Sequence, residues 1–241
     1  MSVETYNDSI HEIYPDIKKN SLTTISFTSY ALGAIFGLFI GLLPLIRFKT
    51  FNIYLISLSV FHFLEFYITA KYNPLKVHEQ SFLINNGIEY LLAHLVAVLE
   101  CFIENILFPT FKNSNSLVNH IIIFIGIFLI ISGQLVRSLA MYTAKNSFSH
   151  TVKTEKLNDH KLITNGIYSI SRHPSYFGFF YWAIGTQLIL LNPISLIIFT
   201  IVLWNFFNKR ITFEENYLLN FFGSDYLKYK NRVPIGIPFV K

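Results

Sequence analysis

Residues 176–208 form a run of 33 residues without a single Lys, Arg, Asp or Glu, and Asn192-Pro193 lies near its centre. As one helix this run would be about 50 Å long at ~1.5 Å per residue, well beyond a hydrocarbon core of ~30 Å. An Asn-Pro pair favours a turn, and proline removes a helix hydrogen bond. The run therefore reads as two short helices, about 175–191 and 194–208, folded as a hairpin. Both ends of a hairpin emerge on one face, so residues just before 176 and just after 208 should meet.

Four further stretches are long and apolar enough to span. Residues 20–46 and 113–136 carry no charged side chain, 50–70 is interrupted only by Glu65, and 90–111 contains Glu100 and Glu104. The chain of 241 residues is 52% hydrophobic with mean hydropathy +0.45, and its 14% charged content falls well below the ~25% of a soluble domain. The expected fold is an all-α integral membrane protein of six membrane segments, the last two being the proline-broken hairpin. Its divisions are a polar lead over 1–21, four transmembrane helices over 22–141, and a third region over 142–241. That third region holds a loop, the hairpin 175–208 and C-terminal helices.

Positive charge in short loops sets orientation. With a cytosolic N-terminus, Lys18, Lys19, Lys71, Lys76 and the basic residues of 142–173 and 205–241 lie inside, against Arg47, Lys49 and Lys112 outside. Both termini are then cytosolic, and the net charge of +5 faces anionic lipid rather than nucleic acid. Residues 1–19 are acidic and polar and the first apolar run is too long for a signal-peptide core, so no cleavable signal is expected. The single cysteine, Cys101, can form neither an intrachain disulfide nor a cysteine-based zinc cluster.

The stretch Ser171-Arg172-His173-Pro174-Ser175-Tyr176 leads straight into the apolar run. Proline suits a first helical turn and basic residues flank spans, so part of this is a helix start. Past the hairpin, Arg210 and Glu214 are four apart, which alone would suit a surface ion pair, and Glu215 adds a second carboxylate. Two adjacent carboxylates would suit a bound cation, or the amine and hydroxyl groups of a polar ligand. The segment 209–222 has Phe213, Tyr217 and Phe221 on one side, Gly223 marks its stop, and a short helix from Ser224 ends before Pro234. Within the spans, His62, Glu65, Glu100, Glu104 and Arg137 are costly in lipid, so they pair structurally or serve a transport path. His150, His160 and His173 lack metal-ligand spacing, so no metal is expected, and no glycine motif for a Rossmann or P-loop site exists.

The segments "NGIYSISRHPSYFGFFYWAIGTQLILLNP" and "RITFEENYLLNFFGSDYLKYKNRVPIGIPF", with "NSFSH" before them, resemble the isoprenylcysteine carboxyl methyltransferase family, and most of all its fungal members. The match is dense over about 142–240 and looser over the earlier spans. The RHPxY–hairpin–EE pattern is shared with phospholipid N-methyltransferases and sterol reductases, and these remain alternatives, as does a non-enzymatic transporter. The resemblance implies an endoplasmic reticulum enzyme that methylates the C-terminal carboxylate of prenylated cysteine in CaaX-processed proteins and prenylcysteine peptides. S-adenosylmethionine is the implied donor. Carried over by position, the cofactor residues are His160, Lys161, Leu162, Ile163, Tyr168, His173, Pro174, Ser175, Tyr176 and Glu214. Arg210 falls at the substrate-facing arginine, and Arg210 with Glu214 is the implied catalytic pair. Lys153, where some members have glutamine, is left out of the site.

Overall fold

The computed structural model describes residues 21–45, 48–156 and 161–240. The polar lead falls almost wholly outside them, as does His160. The described residues contain no strand, only helices and connecting turns. Six long helices follow one another: α1 (Leu22–Leu42), α2 (Lys49–Tyr72), α3 (Ile88–Leu107), α4 (Leu117–Ala144), α5 (Pro174–Leu190) and α6 (Pro193–Arg232). Five of them are long and apolar enough to cross a membrane. The exception, α5, has 17 residues and would measure about 26 Å.

The boundaries follow local chemistry. Ser21 caps α1, its side chain accepting from the Thr24 amide at 3.1 Å, and Ser116 caps α4 in the same way. Pro174 and Pro193 open α5 and α6, where a missing N–H costs nothing.

The Asn192-Pro193 turn lies where the sequence puts it, and it is held by charge. Lys112 Nζ donates to the carbonyls of Leu190 (2.7 Å) and Leu191 (2.9 Å) and to Asn192 Oδ1 (2.9 Å). Glu100 accepts from the amides of Ile194 (2.8 Å) and Ser195 (2.7 Å). A cation thus sits at the C-terminus of α5 and a carboxylate at the N-terminus of α6, each opposing the local helix dipole. Glu104 completes the set, 2.7 Å from Lys112.

One difference from the sequence reading is the course of α6. The helix does not end near Asn208 but continues without a break into the amphipathic segment as far as Gly223. No Pro or Gly lies between 194 and 222, and the change from apolar to charged side chains at Lys209 leaves the backbone hydrogen bonds undisturbed. At Gly223 the backbone turns to φ 53°, a conformation glycine adopts without steric cost, and a further helical stretch runs to Arg232. The tail then folds back: Ser171 Oγ donates to Ile235 O (2.7 Å), and Trp204 Nε1 to Pro238 O (2.8 Å).

α4 and α5 make the closest helix contact. Gly126 and Gly133 on α4 face Gly185 and Gly178 on α5; a Cβ on Gly133 would lie 2.6 Å from Gly178 O, and one on Gly178 would lie 2.5 Å from Gly133 O. Small residues let membrane helices approach to backbone contact. This approach brings Arg137, one turn beyond Gly133, against the first turn of α5.

Candidate active site

The entrance of α5 and the polar part of α6 meet through Tyr176. Arg210 Nε donates to the Tyr176 hydroxyl at 2.8 Å, and that hydroxyl donates to Glu214 Oε2 at 2.6 Å. The i,i+4 pair on α6 is therefore not a direct ion pair; a phenol from α5 is inserted between its members. The Tyr176 ring stacks on His173 (centroids 5.6 Å apart) and Phe207 (5.2 Å), which fixes its hydroxyl in place. Arg210 also donates to the His150 carbonyl.

Glu215, next in sequence, points elsewhere on the helix and has a different task. Arg172 Nε donates to it at 2.5 Å, His173 Nε2 lies 3.1 Å away, and Lys230 Nζ 2.6 Å. Arg172 also donates to Val233 O at 2.9 Å, so one buried cluster binds the α5 entrance, α6 and the tail together. Glu215 lies past Asn208, beyond the apolar part of α6. Burial alone would raise its carboxyl, but hydrogen bonds from His173, Arg172 and Lys230 together hold it well below the usual carboxylate range. The two carboxylates do not form a shared cation site: Glu215 is occupied by the fold and Glu214 faces a cavity.

That cavity gathers the expected cofactor positions. Lys161, Leu162, Ile163 and Tyr168 from the loop line it, with His173, Pro174, Ser175 and Tyr176 from α5 and Glu214 from α6. His160 lies outside the described residues. The cavity also has walls that sequence reasoning did not assign: Phe148 after α4, and Leu218, Phe222, Tyr226 and Tyr229 on α6. For Leu218 and Phe222, the apolar spacing of the amphipathic segment was the available signal. Burial, reinforced by the Glu214 carboxylate and then by Tyr229, pushes the Tyr168 phenol well above its ordinary value and keeps it neutral.

Arg210 does not line this cavity. It lines a second, adjoining one with His150, Phe179, Phe206, Phe207 and Arg137, and Phe148, Ser149, Ser175 and Tyr176 belong to both. The result is one cavity that presents the Glu214 carboxylate and a basic, aromatic one that presents Arg210, with the Tyr176 hydroxyl between those two groups. Such an arrangement can hold a cationic group and an anionic group side by side.

The ionisable residues buried within the spans have structural partners. Arg137 forks onto Glu65, and His62 Nδ1 lies 2.8 Å from Phe82 O with Tyr90 OH 3.1 Å from its other nitrogen. Among the described residues no group of three or more His, Cys, Asp or Glu stands together as a metal site.

Comparison with known proteins identifies the family to which this fold belongs. A model of the isoprenylcysteine carboxyl methyltransferase (ICMT) family matches residues 124–220, from the first third of α4 to just past Glu215. The protein-S-isoprenylcysteine O-methyltransferase of Saccharomyces cerevisiae is 57% identical over 238 residues, covering 98% of this chain and 99% of that one. The protein of the same name from Homo sapiens is 44% identical over 191 residues, 79% of this chain and 66% of its own. A solved structure of the eukaryotic intramembrane Ras methyltransferase ICMT superposes with a TM-score of 0.85 at 38% identity, covering 90% of this chain and 77% of that one. The chain belongs to the isoprenylcysteine carboxyl methyltransferase family.

Proposed function

We propose that the two cavities receive the two substrates of a protein-S-isoprenylcysteine O-methyltransferase. The observation that carries this reading is the Tyr176 partition, with Glu214 on one side and Arg210 on the other. S-adenosylmethionine belongs on the Glu214 side, and the carboxylate of a prenylated cysteine on the Arg210 side.

The donor cavity fits the chemistry of that molecule. It offers apolar surface at Leu162, Leu218 and Phe222 for a purine, and one carboxylate, Glu214, that makes no ion pair among the described residues. Neutral Tyr168 adds a polar group without charge, so it does not repel a sulfonium. Lys161 stands on the same rim for the donor's own carboxylate.

The donor supplies a methyl carbon already activated by positively charged sulfur. The acceptor carboxylate is ionised at neutral pH, so no general base is required. What remains for this chain is alignment and exclusion of water. Arg210 orients the carboxylate, and it is kept from gripping it too tightly by its bonds to Tyr176 and His150. Phe179, Phe206 and Phe207 offer the prenyl chain an apolar wall.

This division of the substrates accords with a membrane enzyme of the endoplasmic reticulum with six membrane segments, α5 and α6 forming the hairpin. Both termini and the 142–173 loop face the cytosol, from which the donor enters, and the prenylated chain arrives from the lipid. The region 142–241 then carries most of the site. A transporter reading has little left to stand on, because Glu65, Glu100, Glu104 and Arg137 are engaged in internal pairs or helix caps. The test is transfer of labelled methyl from S-adenosylmethionine to N-acetyl-farnesylcysteine by the purified full-length protein. A base-labile methyl ester is expected. Label appearing only in phospholipid, or in no product, would overturn the reading.

A further inference from the structure

The inner end of the acceptor cavity rests on a buried network for which the methyl-transfer reaction itself has no need. Arg137 on α4 donates to both oxygens of Glu65 on α2, Nε at 2.5 Å and Nη2 at 2.8 Å. Its remaining arm reaches Ser175 at the start of α5, 3.2 Å to the carbonyl and 3.0 Å to Oγ. The guanidinium lies over the rings of Phe61 (5.4 Å) and Phe179 (5.3 Å), and both charged side chains are buried. A forked pair of this kind is geometrically rigid.

His150 is attached to that rigid pair. Its Nε2 lies 3.0 Å from Glu65 Oε2, and its ring edge packs on Phe148 at 5.2 Å. The same residue turns its backbone carbonyl the other way and accepts from Arg210. His150 sits in a loop with no helix to hold it, so without the Glu65 contact nothing in the backbone pattern would fix that carbonyl. Its side chain is fastened to the fold and its main chain to the arginine beside the acceptor cavity.

We propose that His150 is a positioning residue for Arg210: the Glu65–Arg137 pair locks its imidazole, and its carbonyl sets where the Arg210 guanidinium stands. This rests on the role given to Arg210 above. Alignment of reacting groups tolerates little displacement, so a loosened Arg210 should slow transfer far more than it disturbs the donor cavity, which His150 adjoins through Phe148 and Ser149 but does not itself line.

The test uses full-length H150A, H150F and H150Q, with binding of S-adenosylhomocysteine measured beside turnover. H150F keeps the ring contact to Phe148 and serves should H150A fail to insert. H150A and H150F should lower kcat/KM for N-acetyl-farnesylcysteine about tenfold while S-adenosylhomocysteine affinity stays within about twofold. H150Q, whose amide can still donate to Glu65, should recover to within about threefold of the parent. In an Arg210→Ala background, H150A should remove less than about twofold more, because the pair acts through one contact. Loss of donor affinity in step with turnover would mean that the network only holds the fold, and would overturn the proposal. A full additive loss on top of Arg210→Ala would overturn it as well. An H150A protein equal to an active parent overturns this inference alone; a parent that forms no methyl ester removes the functional reading and this inference with it.

Discussion

The Tyr176 hydroxyl lies 2.8 Å from Arg210 Nε, joining the first turn of α5 to a point 34 residues later on α6. Because the same hydroxyl donates to Glu214, it holds a cation and a carboxylate at fixed positions without letting them neutralise each other. The Tyr176→Phe variant keeps the stacking on His173 and Phe207 but leaves Arg210 Nε and Glu214 Oε2 without this partner. The expected result is a fall in kcat/KM of about tenfold to a hundredfold with normal membrane insertion. Steady-state kinetics on the labelled methyl ester, together with a thermal unfolding curve, check it.

The partition predicts different signatures for its two sides. Arg210→Ala should lower kcat/KM for the prenylcysteine acceptor about a hundredfold while the affinity for S-adenosylhomocysteine changes little. Glu214→Ala should weaken S-adenosylhomocysteine by at least about tenfold. Calorimetric binding of the product, with initial rates at varied acceptor, separates the two. If both variants lost donor affinity equally, the assignment of one substrate to each side would fail.

Which parts of this arrangement could be read from the chain depends on the range of the physics. The Asn192-Pro193 turn was legible because a proline without an N–H in a long apolar run is a local signal, and the meeting of Tyr176 with Arg210 and Glu214 follows from it. The course of α6 past Asn208 was not: hydropathy changes at Lys209, but helix hydrogen bonding does not respond to polarity. The separate fates of Glu214 and Glu215 depend on which helix face meets Arg172, His173 and Lys230, and that is settled by tertiary packing. The pairing of Glu65 with Arg137 spans 72 positions, and no local pattern announces it. The seven-residue spacing of Gly126 with Gly133 and of Gly178 with Gly185 was present in the sequence, yet its meaning needs both helices in view.

That glycine contact is itself testable. A side chain at Gly178 would meet Gly133 O at 2.5 Å and the Arg137 amide at 2.8 Å, atoms of a neighbouring backbone that cannot rotate away. Gly178→Val should separate α4 from α5 and destabilise the protein by about 1–3 kcal/mol or more. Gly37→Val on α1, where a Cβ meets open space, should be nearly neutral for folding of the monomer. Thermal unfolding in detergent compares the two. Because Arg137 is carried by the same contact, Gly178→Val should also lose activity at temperatures where it remains folded.

Acid stability should depend on Glu215. Its carboxyl titrates below the ordinary value in the folded protein, where burial that would raise it is outweighed by hydrogen bonds from His173, Arg172 and Lys230. A depressed folded value means that the contribution is complete above the unfolded carboxylate value of about 4.3 and is lost as the pH falls below it. Thermal stability of the parent should therefore drop steeply on acidification through that region. Glu215→Gln should start less stable at neutral pH, because Arg172 is left buried without its carboxylate, and should show a shallower slope below about pH 4.3. Unfolding temperatures measured from about pH 3 to pH 7 give both slopes. Parallel curves for parent and variant would show that the cluster at the entrance of α5 is not what acid dissolves.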